Sequence, residues 1–350
     1  MTRFLQSTSR RIILCFIFIC LTACEQATEV ENQQLVIFSG LTMGTTYTVK
    51  INSPESKLDR TVVAEQINLR LNKVNDQMST YLETSDLSLF NRSKSEDWIK
   101  IPAELYTVIK ESLIINKLSN YSFDITIGPV VNLWGFGPDK QSTIIPDETA
   151  IDEALQRVGS QKIHLGAETH TIRKDNPELT IDLSAIAKGF AVDLIAYYLD
   201  ELMLNHYMVE IGGEIKTKGN NPNNKIWQIG IEKPLDDQRT VQTIVALENT
   251  GMATSGDYRN YFEKDGSRYS HTIDPSTGKP ITHKLASVTV LHPSAMTADA
   301  MATAFLVLGP EQGFNLALKE DIAALFLVRE KDNFIEKMTP RFELALAASK

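Results

Sequence analysis

In the stretch MTADAMATAF, Asp299 and Thr303 stand four residues apart, which on a helix puts a carboxylate and a hydroxyl on one face. Ala298, Ala300, Ala302, Ala304 and Phe305 around them make that surface close-packed and buried. A carboxylate there is costly unless it is paired or binds a metal. Asp with a Thr hydroxyl is a hard oxygen set that suits Mg²⁺, a cation that keeps some waters and shares phosphate oxygens with a substrate. The same Asp bonded to a neighbouring Arg or to a backbone amide would be purely structural.

A second place for chemistry is TIDLSAIAKGF, from Thr180 to Phe190. An apolar strand ends at Asp182, Ser184 is placed to cap the following helix, and Lys188 falls in its first turn. Free backbone N–H groups and an ammonium together make a site for an anion. Gly189 lets another group approach the helix closely. A capped strand–helix junction with a surface lysine reads from the same spacing. The glycines of a Walker loop or a dinucleotide fingerprint are missing.

Two further stretches carry suitable groups. Trp134 and Phe136 in DITIGPVVNLWGFGP, and Tyr81 in MSTY, can stack on a planar ligand or cap a core. In SHTIDPSTGKP, His271 sits near the end of a hairpin strand. As a neutral base it could take a proton from an attacking hydroxyl. Asp274-Pro275 and Gly278 supply the turn chemistry, which needs no histidine.

These residues need elements to hold them. Tyr47, Val49 and Ile51 alternate in a half-buried strand, and Val63, Ile67, Leu71, Val74 and Met78 mark a helix over 60–78. Helices are expected over 103–119, 146–159, 186–204 and 294–308. Strands are expected at QKIHL, THTIRK, ELTIDL, HYMVEI, IWQIGIE, QTIVALEN and ASVTVLH, with IAALFLVRE as the last. Residues 124–127 read as a strand broken at Gly128-Pro129 and followed by a loop, and YFEKDGSRYSHTI as a hairpin around Asp265-Gly266. The pattern predicts an α+β fold, not a doubly wound parallel sheet.

The formal net charge of −9 argues against nucleic acid as a partner. Arg3, Arg10 and Arg11 precede a short apolar run, Ile12–Leu21, and LTAC ends at Cys24. The pattern predicts a signal peptide over 1–23 with lipidation at Cys24, a polar tether over 24–34 and a domain over 35–350. Cleavage would remove three Arg and no acid, taking the charge to −12, and would leave Cys24 as the sole cysteine, so the domain has no disulfide.

Eight segments in order resemble the ApbE family of flavin transferases over about residues 40–340. They are TMGTTY, MSTY, DITIGPVVNLWGFGP, DLSAIAKGFAVD, VEIGGEI, ATSGDYRNYF, RYSHTIDPSTGKP and ADAMATA. The resemblance implies T-fold-like antiparallel sheets with packed helices. It implies Mg²⁺-dependent transfer of FMN from FAD to a Thr or Ser hydroxyl of an acceptor protein, with AMP released. Acceptors in the family include subunits of membrane redox pumps with a motif like S/T-G-A-T. By the same resemblance Asp299, Thr303 and the carbonyl of Ala185 match metal ligands. Met43, Tyr81, Ser122, Phe123, Asp124, Asp182, Lys188 and Ile273 match flavin-nucleotide contacts, and His271 matches the base. Ser184-Ala185 departs from the Gly-Gly of many members, a change that keeps the carbonyl at Ala185. The leader fits the family's periplasm-facing anchorage, with inner and outer membrane both open. An FAD pyrophosphatase and a non-catalytic flavin-binding lipoprotein remain alternative readings.

Overall fold

The computed structural model describes residues 33–54, 58–137, 145–235, 240–258, 261–264, 267–331 and 333–347. The alternating apolar residues of the sequence build one antiparallel sheet of eight strands. These are β1 (Gln33–Thr42), β2 (Thr45–Pro54), β3 (Tyr207–Ile211), β4 (Glu214–Lys218), β5 (Gly251–Gly256), β6 (Leu285–His292), β7 (Ala323–Glu330) and β8 (Asn333–Met338). They lie side by side in chain order. All other described elements except the C-terminal helix lie in insertions between neighbouring strands.

The helices are α1 (Arg60–Met78), α2 (Asp86–Arg92), α3 (Ala103–Leu118), α4 (Gly128–Leu133), α5 (Glu148–Leu155), α6 (Ala187–Glu201), α7 (Ala295–Lys319) and α8 (Pro340–Ala347). All five apolar positions expected on α1 are buried, and Asp59 caps it by accepting from the amides of Thr61 and Val62. In β7 the period of two is clean. Ala324 and Phe326 join the main core under α1, α3, α6 and α7, while Ala323, Leu325 and Leu327 face a second core. That second core is closed by α8 and the hairpin Trp227–Glu232/Val241–Leu247. A third, smaller core gathers Val130 and Trp134 with Ile151, Ala154, Val158 and Ile273.

Several expectations are corrected. ELTIDL is extended but forms no ladder. The Asn91 side chain takes the place of a neighbouring strand, donating to the Ile181 carbonyl and accepting from its amide, each at 2.8 Å, and the Asp182 amide donates to Ile125 O at 2.7 Å. Residues 124–127 form a turn, and α4 follows with Pro129 in its first turn, where no amide partner is needed. The helix expected over 146–159 stops at Leu155, short of Gly159. IAALFLVRE is not the last strand, since β8 pairs beyond it. β1 begins at Gln33, inside the stretch read as tether. Met1–Asn32, with Cys24, and Asp265-Gly266 lie outside the described residues, although Lys264 pairs with Ser267 across the latter.

Candidate active site

α6 and α7 touch at a point that only glycine permits. A Cβ on Gly189 would come within 2.3 Å of the Ala295 carbonyl and 2.8 Å of the Asp299 Cβ. The Gly189 amide donates to Asp299 Oδ2 at 3.0 Å, so the bare helix start meets the carboxylate directly. Ser184 is not the cap. Its amide and hydroxyl both donate to Asp182 Oδ1, and α6 opens at Ala187 without a side-chain cap. Lys188 lies in the first turn, as expected.

Lys188 Nζ is 2.9 Å from Glu214 Oε1 and 3.9 Å from Asp299 Oδ1. Burial acts to lower the lysine, but the carboxylates of Asp299 and Glu214 outweigh it and hold the ammonium above its ordinary range. Burial pushes both carboxyls up, and Lys188 pulls them part of the way back. Glu214 was not singled out in the sequence, although it stands in VEIGGEI. It follows the turn Gly212-Gly213, whose φ of 62° and 107° suits glycine.

The set carries two buried carboxylates against one ammonium, and Glu214 Oε2 is buried with no hydrogen-bond partner among the described residues. An additional cation fits that imbalance. Among the described residues no three His, Cys, Asp or Glu side chains cluster to hold one. A donor set for one would draw on hydroxyl and carbonyl oxygens beside these carboxylates. Thr303 lines the same cavity, its hydroxyl 2.8 Å from that of Ser255, and so does Ala185.

Asp193 fixes the relation of the two helices. From α6 it accepts the Ser294 hydroxyl at 2.7 Å and the amides of Ala295 and Met296 at 3.1 and 3.0 Å, all at the start of α7. Lys216 Nζ pairs with it at 2.7 Å. Its signal in the sequence was an acid on the buried side of an apolar helix.

His271 lines the same cavity. A ladder of rings leads to it: Trp134 stacks on Tyr269, Tyr269 on Phe262, and Phe262 on Phe136, whose ring meets His271 edge-on at 6.3 Å. The Trp134 indole donates to the Gly278 carbonyl at 2.8 Å and pins the turn that follows His271.

The cavity these groups share has a volume of about 500 Å³. Tyr81, Ser122, Phe123, Asp124, Asp182, Ala185, Lys188, His271, Ile273, Asp299 and Thr303 all line it. Met43 does not. It sits with Gly44 in the β1–β2 turn at φ 49°, packed against the main core. Asp124 lines the wall with its carboxylate engaged by Thr126 and Ser160, and the Phe123 carbonyl is held by Asn116 at 2.7 Å. Tyr81 is 72% exposed and so offers an open ring. Trp134 belongs to the small core, while Phe136 reaches the cavity.

The ApbE family profile matches residues 43–326. The chain is 45% identical over 323 residues to the FAD:protein FMN transferase of Vibrio cholerae, covering 92% of this chain and 95% of the relative. It is 43% identical over 337 residues to that of Haemophilus influenzae, covering 95% and 96%. The solved structure of the flavin transferase ApbE from Vibrio cholerae superposes with a TM-score of 0.84 at 43% identity, over 90% of this chain and all of the other.

Proposed function

The chain belongs to the ApbE family, and from that membership we propose that it transfers FMN from FAD to a Thr or Ser hydroxyl of an acceptor protein. The observation that carries this reading is one cavity lined by both a lysine–carboxylate set and a histidine. The acceptor oxygen forms a bond to the FMN phosphorus as the pyrophosphate P–O bond breaks. The electron pair of that bond leaves with AMP, and the hydroxyl proton passes to His271. Lys188 holds phosphate oxygens, while the start of α6 is engaged by Asp299. Asp299, Thr303 and the Ala185 carbonyl would hold Mg²⁺, which supplies charge neutralisation at the pyrophosphate. Tyr81 offers a face for a flat ring of FAD.

The leader supports a lipid anchor on Cys24 and a periplasm-facing site on a membrane, where a redox-pump subunit with an S/T-G-A-T-like segment would be met. Among the described residues no helix is long and apolar enough to cross a membrane. The test is incubation with FAD, Mg²⁺ and an acceptor domain carrying that segment. A flavin-labelled acceptor and equimolar AMP are expected, and EDTA should suppress both. Free FMN with no label on the acceptor would sink the transferase reading.

A further inference from the structure

Lys188 has two carboxylates nearby and is bonded to one. Its Nζ is 2.9 Å from Glu214 Oε1, a hydrogen-bonded ion pair, and 3.9 Å from Asp299 Oδ1, which is too long for a hydrogen bond. Burial does not explain the choice, since Glu214 and Asp299 are each 3% exposed. Asp299 is held through its other oxygen, Oδ2, by the Gly189 amide. Its Oδ1 accepts no hydrogen bond among the described residues.

The backbone makes the choice. Glu214 opens β4 directly after the Gly212-Gly213 turn, and the pairing of Ile211 with Glu214 across the β3–β4 hairpin fixes where its side chain starts. A Cβ on Gly212 would come within 3.2 Å of Lys188 Cδ and 2.9 Å of Thr45 Cγ2. The bare turn therefore lets the lysine stem run across it to the carboxylate two residues on.

We propose that Glu214 is a positioning residue for the metal site: it holds the Lys188 ammonium off Asp299 and so leaves Oδ1 to the divalent cation. The proposal rests on the metal reading above. A buried ammonium needs an anionic partner. Without Glu214 the nearest is Asp299, and an ammonium bonded there would compete with the cation for the same oxygen. Two independent charges would each act on metal affinity whether or not the other was present. A Glu214 that acts through Lys188 matters only while the lysine is there.

The test is Mn²⁺ binding to the full-length protein, read by electron paramagnetic resonance, with the site counted as the one lost in Asp299→Ala. Glu214→Gln should raise Kd at that site about tenfold or more. In a Lys188→Met background the same substitution should change Kd by less than about twofold. Glu214→Asp, which keeps the charge on a shorter stem, should raise Kd less than Gln does, and it carries the same cycle if the Gln variant does not fold. An equal rise in both backgrounds, or no rise in either, would overturn the proposal. A wild type that loses no Mn²⁺ site on Asp299→Ala overturns the metal reading itself, and the proposal with it.

Discussion

Asp299 and Lys188 stand on helices whose buried faces pack into the main core, whereas His271 stands on a turn supported by the small core around Trp134. The first wall is fixed by backbone contact at Gly189 and by the Asp193 cap. The second is fixed by stacked rings and one indole hydrogen bond. Charged groups must be held to a fraction of an ångström to neutralise a pyrophosphate, and a dense core does that. In the proposed reaction His271 would have to meet a second macromolecule, and a lightly supported turn leaves room for it.

Four experiments would break or sharpen this contrast. The largest effect is expected for Asp299→Ala, which should cost about a thousandfold or more in kcat with EDTA adding nothing further. Unchanged activity there would refute the metal assignment. For His271→Ala the expected loss is about 10²–10⁴-fold in kcat. Wild-type rates at neutral pH would remove the base role. Next come the supports. Asp193→Ala should lower stability by about 1–3 kcal/mol in urea melts, through the lost cap of α7. Trp134→Phe should lower kcat several-fold while moving Tm little; the opposite pattern in the two variants would reverse the contrast drawn here.

A separate experiment concerns Lys174, buried beneath α2 with Nζ 3.0 Å from the Leu179 carbonyl. Burial pushes this lysine down to about 8. A folded-state value below the unfolded one penalises the charged form in the native state. Wild type should therefore gain stability relative to Lys174→Met as pH rises from about 8 toward 10.5, by about 2–3 kcal/mol at most. A pH-independent difference between the two would contradict that placement.

The sequence was most legible where one periodicity governed many residues. The face of α1, the alternation of β2 and the Asp299–Thr303 spacing on α7 all appear as read. It was least legible where a side chain replaced a regular partner. Asn91 turns ELTIDL into an unpaired extended segment, and Asp182, not the helix dipole, claims Ser184. Neither swap leaves a periodic trace. Glu214 and Asp193 were hidden for a related reason, since each acts through a residue distant in sequence: Glu214 on Lys188, Asp193 on the start of α7. Met43 stands apart from the cavity because the left-handed turn that carries it packs on the main core.

The main sheet follows chain order from β1 to β8, so no connection need cross another. Each insertion then leaves and returns at adjacent strands, and the β2–β3 and β5–β6 insertions meet in the small core around Trp134. The β5–β6 insertion carries His271, and the β2–β3 insertion carries Lys188. Grafting a relative's β5–β6 segment between Gly256 and Leu285 would exchange His271 and its turn against the retained Trp134 and Phe136 of the β2–β3 insertion, while the register of all eight strands stays in place. Such chimaeras offer a modular route to redirecting which acceptors are modified.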